Sequence, residues 1–405
     1  MKSIPGSITA PAGFTAAGIH CGIRHNRRKK DLALLFCQKT CDAAAVYTQN
    51  QVKGAPILVT REHLKDGKAR AVICNSGNAN TCNRDGVAKA AAMCELAARA
   101  LGIAPQDVIV ASTGVIGLEL SVEPIAQALP ALAGALSPDG ADDATDAIMT
   151  TDTMRKQTAV EFELGGKTCR IGGIAKGSGM INPNMATMLS FVTTDADVSA
   201  DVLHQALLDA IRDTFNMVCV DGDTSTNDTL AILASGLAGN PRVESIADAQ
   251  YPVFLEALTA VCQVLARGIA RDGEGATKLV VCRVAGAPDE AAARAAAKAV
   301  IASNLVKAAM FGADANWGRV LCALGYSGAA IDPGKVDVKF SSAAGEVAVC
   351  QGGSGVTFSE EKAAEVLGAD AITIGVDLHA GPANACAYGC DLTYDYVKIN
   401  GDYRT

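Results

Sequence analysis

Residues 175–196, AKGSGMINPNMATMLSFVTTDA, set Thr187 at the seam between a Gly- and Pro-punctuated loop and an apolar, strand-like run. A threonine hydroxyl is a weak nucleophile and needs a base. The segment offers no histidine, cysteine or paired acid. An N-terminal threonine meets the need by itself, because its α-amine, with an unperturbed pKa of about 7.7–8.0, is partly neutral near neutral pH. In mid-chain that amine is an amide, so the chain has to be cut immediately before Thr187. Gly177, Gly179 and Pro183 could hold the 182–187 backbone in an unusual conformation. The Thr187 hydroxyl could then attack the Ala186 carbonyl, shift the chain from amide to ester, and leave a new N-terminus once water releases it. The same residues also make an ordinary turn before a strand, and taken alone they leave both readings open.

Other chemistry finds little support. The chain has no G-x-x-x-x-G-K-[ST], no H-E-x-x-H and no G-x-S-x-G. Its five histidines, His20, His25, His63, His204 and His379, are scattered and none sits in a triad-like context. Residues 172–179, GGIAKGSG, carry Lys176 and would suit a phosphate cradle, but no helix start follows, so the dipole argument for anion binding fails. The pairs Cys37/Cys41 and Cys386/Cys390 match no common zinc spacing, and no metal is expected. Asp223 and Asn227 in VDGDTSTND lack the closing glutamate of a calcium loop and read as a structural polar loop.

The elements that must position these residues follow from periodicity. Apolar residues at helical spacing predict helices over 86–101, 201–215, 250–269 and 289–303, the last capped by Asp289. Strand-like runs include DLALLF, APILVT, ARAVIC, QDVIVAS, TMLSFVTT, TLAILAS, KLVVCRVAG, AITIGVDL and the alternating tail DLTYDYVKIN. Residues 158–164 and 167–172, joined by Gly165-Gly166, read as a hairpin. Interleaved strands and helices with hairpins predict a layered α/β fold with mixed sheets.

Composition bounds the partners. With 405 residues, 49% apolar and 19% charged, the chain can bury a large core. A formal charge of −8 argues against nucleic acid. The one basic run, Arg24 with Arg27, Arg28, Lys29 and Lys30, reads as a solvated hairpin tip. No run of about 20 apolar residues predicts a membrane span. The N-terminus lacks the apolar core of a secretory signal, and the fourteen cysteines lack a framework spacing, which predicts a cytoplasmic setting.

The processing-like segment KGSGMINPNMATMLSFVTTDA resembles that of the ornithine acetyltransferase family, also called glutamate N-acetyltransferase. So do ICNSGNANTC (73–82), ASTGVIG (111–117), AIMTTDT (147–153), VDGDTSTND (220–228), DGEGATK (272–278), FGADANWGR (311–319) and the tail KINGDYRT (398–405). The resemblance implies cleavage between Ala186 and Thr187 into an α chain (1–186) and a β chain (187–405) that share one core and pair further into α2β2. It implies a layered α/β/β/α fold like that of N-terminal-nucleophile amidohydrolases, with a smaller C-terminal α/β subdomain at roughly 286–405. The implied reaction moves acetyl from N-acetylornithine to glutamate in arginine biosynthesis, and some members also use acetyl-CoA as donor; no cofactor is implied. By motif match Thr187 is the nucleophile and its freed amine the base. Thr113 and Gly114 form the oxyanion hole, and Thr153, Lys176, Thr187, Glu274, Asn400 and Thr405 bind substrate. An amidase or aminopeptidase of the same fold, and a non-enzymatic binding protein with a phosphate-gripping loop, remain the alternatives.

Overall fold

The computed structural model describes residues 1–24, 26, 29–182 and 188–402. Its first sheet holds nine strands among the described residues, running Lys2–Ile4, Lys156–Leu164, Lys167–Lys176, Leu189–Thr194, Thr229–Ala234, Leu32–Tyr47, Lys68–Asn75 and Val108–Ser112, with Phe14–Ile19 added along Leu32–Tyr47. The long strand Leu32–Tyr47 belongs to both halves of this sheet. Its pairing with Lys68–Asn75 slips between Phe36 and Cys41, a bulge of the kind that bends a sheet.

Period-two alternation makes the layers. Ala33, Leu35, Val72, Cys74 and Ile109 point to one side and share a core with Ala43, Ile174, Phe191 and Leu233 from the other half. Leu32, Leu34, Ile73 and Val110 point the opposite way, onto helices Gly86–Leu101 and Glu123–Gly134. On the far side Val46, Val192 and Ile232 face helices Ala200–Arg212 and Tyr251–Arg271. The sheet is thus folded on itself between two helical layers, an α/β/β/α arrangement.

A second sheet of seven strands is built around Leu279–Ala287, Asp337–Ser342, Ala371–Asp377 and Ala383–Cys390. One face packs on helices that include Glu290–Ala302 and Glu360–Leu367. From the other face Leu279, Val281, Tyr388 and Cys390 join the core around Tyr251–Arg271. That helix is long and apolar enough to cross a membrane by composition, and here the apolar residues are accounted for by the two sheets that enclose it.

The expected hairpin is present, with Leu164 opposite Lys167 and Gly165 and Gly166 at φ +58° and +75°, the left-handed pair a type I′ turn demands. Asp289 caps Glu290–Ala302 by accepting the Ala292 N–H. Two expected strands are helices. APILVT lies in Ala55–His63, where Pro56 at the first turn presets φ and Ile57 and Val59 supply the buried face. A short apolar run does not distinguish strand from buried helix. The tail forms helix Tyr394–Gly401, which buries no residue, so its alternation reflects no sheet face. Of the basic run, the described members make contacts with the rest of the fold. Arg24 donates to Ser76 O at 2.8 Å and to Met149 O at 2.6 Å, Lys29 donates to Thr150 O at 3.0 Å, and Lys30 pairs with Asp143. His25, Arg27 and Arg28 lie outside the described residues.

Candidate active site

Strands Lys68–Asn75 and Val108–Ser112 run parallel and end together, and the chain leaving each one meets the other. Thr113 N–H donates to Asn75 O at 2.9 Å. Gly114 follows at φ +126°, and a Cβ there would lie 2.6 Å from Gly77 C and 2.8 Å from Asn78 N, so only glycine fits. Asparagine side chains brace this corner. Asn75 Oδ1 accepts the Asn78 N–H at 3.0 Å, its Nδ2 donates to Ser112 Oγ at 2.7 Å, and Asn78 Oδ1 accepts the Asn80 N–H at 2.7 Å. The NSGNAN segment is the buttress of Thr113-Gly114. Asn227 ties in from across the sheet, donating to Ser112 O and Ala79 O.

Strand Lys167–Lys176 delivers the buried Lys176, whose ammonium donates to Thr113 Oγ1 at 3.1 Å. With its oxygen engaged as acceptor, the Thr113 hydroxyl keeps its own proton to donate elsewhere. The Gly114 N–H takes no acceptor among the described residues. Burial lowers the Lys176 pKa, opposed by Asp152 and Asp228. Asp152 shows the converse. Burial would raise its carboxyl, yet Lys156 and Lys176 hold it well below the usual carboxylate range.

Helix Tyr251–Arg271 ends in Asp272-Gly273-Glu274-Gly275. Glu274 is buried; Oε1 accepts from Thr151 Oγ1 at 2.7 Å and Oε2 from Asn400 Nδ2 at 2.8 Å. The glycines around it make room. A Cβ on Gly273 would meet Cys390 Sγ at 2.6 Å, and one on Gly275 would meet Tyr396 N at 2.6 Å.

Thr113, Gly114, Lys176, Glu274 and Asn400 all line one cavity of about 300 Å³. Thr151 and Met180 line it too; they stand in the motifs AIMTTDT and KGSGMINPN, in which the resemblance implies no role for either position. Thr153 does not line it: its hydroxyl and N–H are committed to the Asp272 carboxylate. Ala186, Thr187 and Thr405 lie outside the described residues. A larger groove of about 470 Å³ at Asp42, Lys68 and Arg242 lies elsewhere, and its main charges pair with one another.

Gly179 sits under the Glu274 carboxylate, where a Cβ would lie 2.4 Å from Oε2. Gly179→Ala is expected to push the flexible Glu274 side chain off Thr151 and Asn400. Losing charge-assisted hydrogen bonds of about 1.5–3 kcal/mol corresponds to a KM raised roughly tenfold or more, with little change in melting temperature. Steady-state kinetics beside a thermal melt checks this.

The cavity presents two hydrogen-bond donors side by side, a hydroxyl and a backbone N–H, between a buried ammonium and a buried carboxylate. Such a pair suits an oxyanion that forms during acyl transfer. Fold and cavity together define a layered α/β/β/α protein whose site carries donors suited to acyl-transfer chemistry. The model of the ArgJ family matches residues 15–405. The arginine biosynthesis bifunctional protein ArgJ of Symbiobacterium thermophilum is 56% identical over 407 residues, covering 100% of both chains. That of Caldanaerobacter subterraneus subsp. tengcongensis is 50% identical over 406 residues, again covering 100% of both. A crystal structure of the Bacillus halodurans protein ArgJ is 46% identical, covers 54% of this chain and 100% of its own, and superposes with a TM-score of 0.51. The chain belongs to the ArgJ family.

Proposed function

We propose that the chain cuts itself between Ala186 and Thr187 and then moves acetyl from N-acetylornithine to glutamate through an acetyl ester on Thr187. The observation that carries the transfer chemistry is the convergence of Thr113, Gly114, Lys176 and Glu274 on one cavity. Thr187 Oγ attacks the acetyl carbonyl while the freed α-amine takes its proton. The Thr113 hydroxyl and Gly114 N–H receive the oxyanion, each donor contributing about 2.7–4 kcal/mol in the transition state. The amine of ornithine leaves with the returned proton, and the glutamate amine then attacks the ester. Both substrates are amino acids, and Lys176 and Glu274 offer the opposite charges that carboxylate and ammonium groups require.

The cut has separate support. The curated relatives align along their whole length, yet the crystallised Bacillus halodurans chain is used up on 54% of this one. Residues 187–405 make up 54% of the sequence, a length equal to the share that is covered. A severed molecule would hold together, because Leu189–Thr194 lies between Lys167–Lys176 and Thr229–Ala234 in one sheet. We extend the reading to an α2β2 assembly in the cytoplasm. The free cysteines fit a reducing compartment.

Gel electrophoresis with N-terminal sequencing tests the cut: two bands of similar size are expected, one beginning TMLSFVTT. Acetylglutamate formation, measured with N-acetylornithine and with acetyl-CoA supplied separately, tests the transfer and defines the donors. Acetate release at the same rate with and without glutamate would mark a hydrolase instead.

A further inference from the structure

The scheme above leaves one step without a base. Before the cut the Thr187 nitrogen is an amide and cannot take the hydroxyl proton, so the amine that serves acetyl transfer is not available for maturation. The N-to-O shift nevertheless moves protons. The hydroxyl loses one as the C–O bond forms, and the nitrogen gains one as the C–N bond breaks.

Asp228 precedes Thr229, which pairs with the residue that follows Thr187 in the chain. Strand Thr229–Ala234 runs parallel to Leu189–Thr194 with Thr229 opposite Leu189, and the Thr229 N–H donates to Met188 O at 3.0 Å. Met188 is the residue that follows Thr187. The Asp228 side chain, 2% exposed, lines a small cavity of about 20 Å³ together with Thr113, Lys176 and Ser225. It is the one carboxyl lining that cavity among the described residues. Its Oδ2 is buried and takes no hydrogen bond among the described residues, an unmet acceptor of a kind native folds rarely keep without a role. Burial pushes the carboxyl well above the usual range, against the Ser225 hydroxyl, the Lys176 ammonium and the Thr48 hydroxyl, and so favours the protonated form.

We propose that Asp228 is the proton-transfer residue of the self-cleavage, a role separate from acetyl transfer and resting on the reading of Thr187 as nucleophile. As Thr187 Oγ bonds to the Ala186 carbonyl carbon, the bare oxygen of the carboxyl takes the hydroxyl proton while its other oxygen gives its own proton to the Thr187 nitrogen, and the carbon–nitrogen bond then breaks to leave the ester. The acid is regenerated, and the shift neither gains nor loses a proton. Water then cleaves the ester, restoring the hydroxyl and freeing the Ala186 carboxylate with one proton to solvent.

The test follows freshly purified full-length chain by intact mass across mildly acidic to alkaline pH, for wild type, Asp228→Asn and Asp228→Glu. Wild-type cleavage is expected to slow as pH rises and Asp228 loses its proton. Lys176 is the charged group set against it, and Asp152 behind Lys176 stays ionised throughout. Asp228→Asn keeps the shape but cannot exchange a proton, and is expected to cleave at least about 100-fold more slowly with no pH dependence. Asp228→Glu is expected to recover part of the rate with a displaced profile. An unchanged thermal melt for Asp228→Asn separates lost proton transfer from lost folding. Cleavage of Asp228→Asn at the wild-type rate and with the wild-type profile overturns the inference. If Asp228→Asn does not fold, an Asp228→Glu chain that cleaves with an undisplaced profile overturns it equally. Wild-type chain that stays uncut while active removes the Thr187 reading instead, so the two failures are told apart.

Discussion

Thr187→Ala is expected to leave one full-length chain and no measurable acetyl transfer. The two losses share one cause. In the proposed scheme the hydroxyl is the attacking group in both the cut and the transfer, and the amine that would serve as base exists only once the cut has occurred. No histidine lines the cavity among the described residues to substitute for it. Thr187→Ser separates the requirements, since it keeps a hydroxyl: it is expected to cut and to transfer acetyl, each at a reduced rate. Intact mass and acetylglutamate formation read the outcomes together. A Thr187→Ala chain that still forms acetylglutamate would show that another group carries the acetyl.

Lys156→Met is expected to be the most destabilising single change near the site. The Lys156 ammonium lies fully buried between Asp152 and Asp272, bonding both carboxylates. Removing one partner of such an arrangement strands buried charge and costs about 3–5 kcal/mol. For a chain of this length, unfolding entropy of about 2.1 cal/mol/K per residue converts that to a melting temperature lower by about 5 °C. The site suffers as well: Asp152 also accepts the Gly177 N–H at 2.8 Å, and Asp272 leads into Glu274. The loss should depend on pH in a defined sense. The folded-state carboxyl of Asp152 is held below its unfolded value, near 3.9, so its contribution is present above that value and fades as pH falls further. The gap in melting temperature between wild type and Lys156→Met is therefore widest near neutral pH and narrows on acidification. Thermal melts of both chains over a pH series check this, and a constant gap would remove the ion triad as its source.

Much of the scaffold was legible because it depends on local rules. Gly165-Gly166 announced a hairpin, helical spacing announced Gly86–Leu101 and Tyr251–Arg271, and Asp289 announced a cap. The misreadings have one origin, a short pattern whose meaning depends on distant neighbours. APILVT is apolar on account of the core it meets, and the tail alternates with no sheet to alternate against. Thr113, Gly114, Lys176, Glu274 and Asn400 were found through unusual motifs, and the cavity brings them together. Thr151 and Asp228 stand in the motifs AIMTTDT and VDGDTSTND yet were given no role, because an ordinary threonine and an acid in a polar turn reveal nothing of their burial. The triad of Asp152, Lys156 and Asp272 was equally hidden, since two of its members stand 116 residues apart in the chain.

The position of Leu189–Thr194 in mid-sheet, with Lys176 opposite Leu189 on one side and Thr229 on the other, gives the molecule a direction in time. Continuous polypeptide threads this strand into its slot once, while the two halves are still tethered. If the proposed cut is made, the same slot can afterwards be refilled only by a collision between separate molecules, at a cost that rises with dilution. Heat or denaturant therefore erases an instruction the mature protein no longer carries, and recovery from unfolding should be a property of the newborn chain alone.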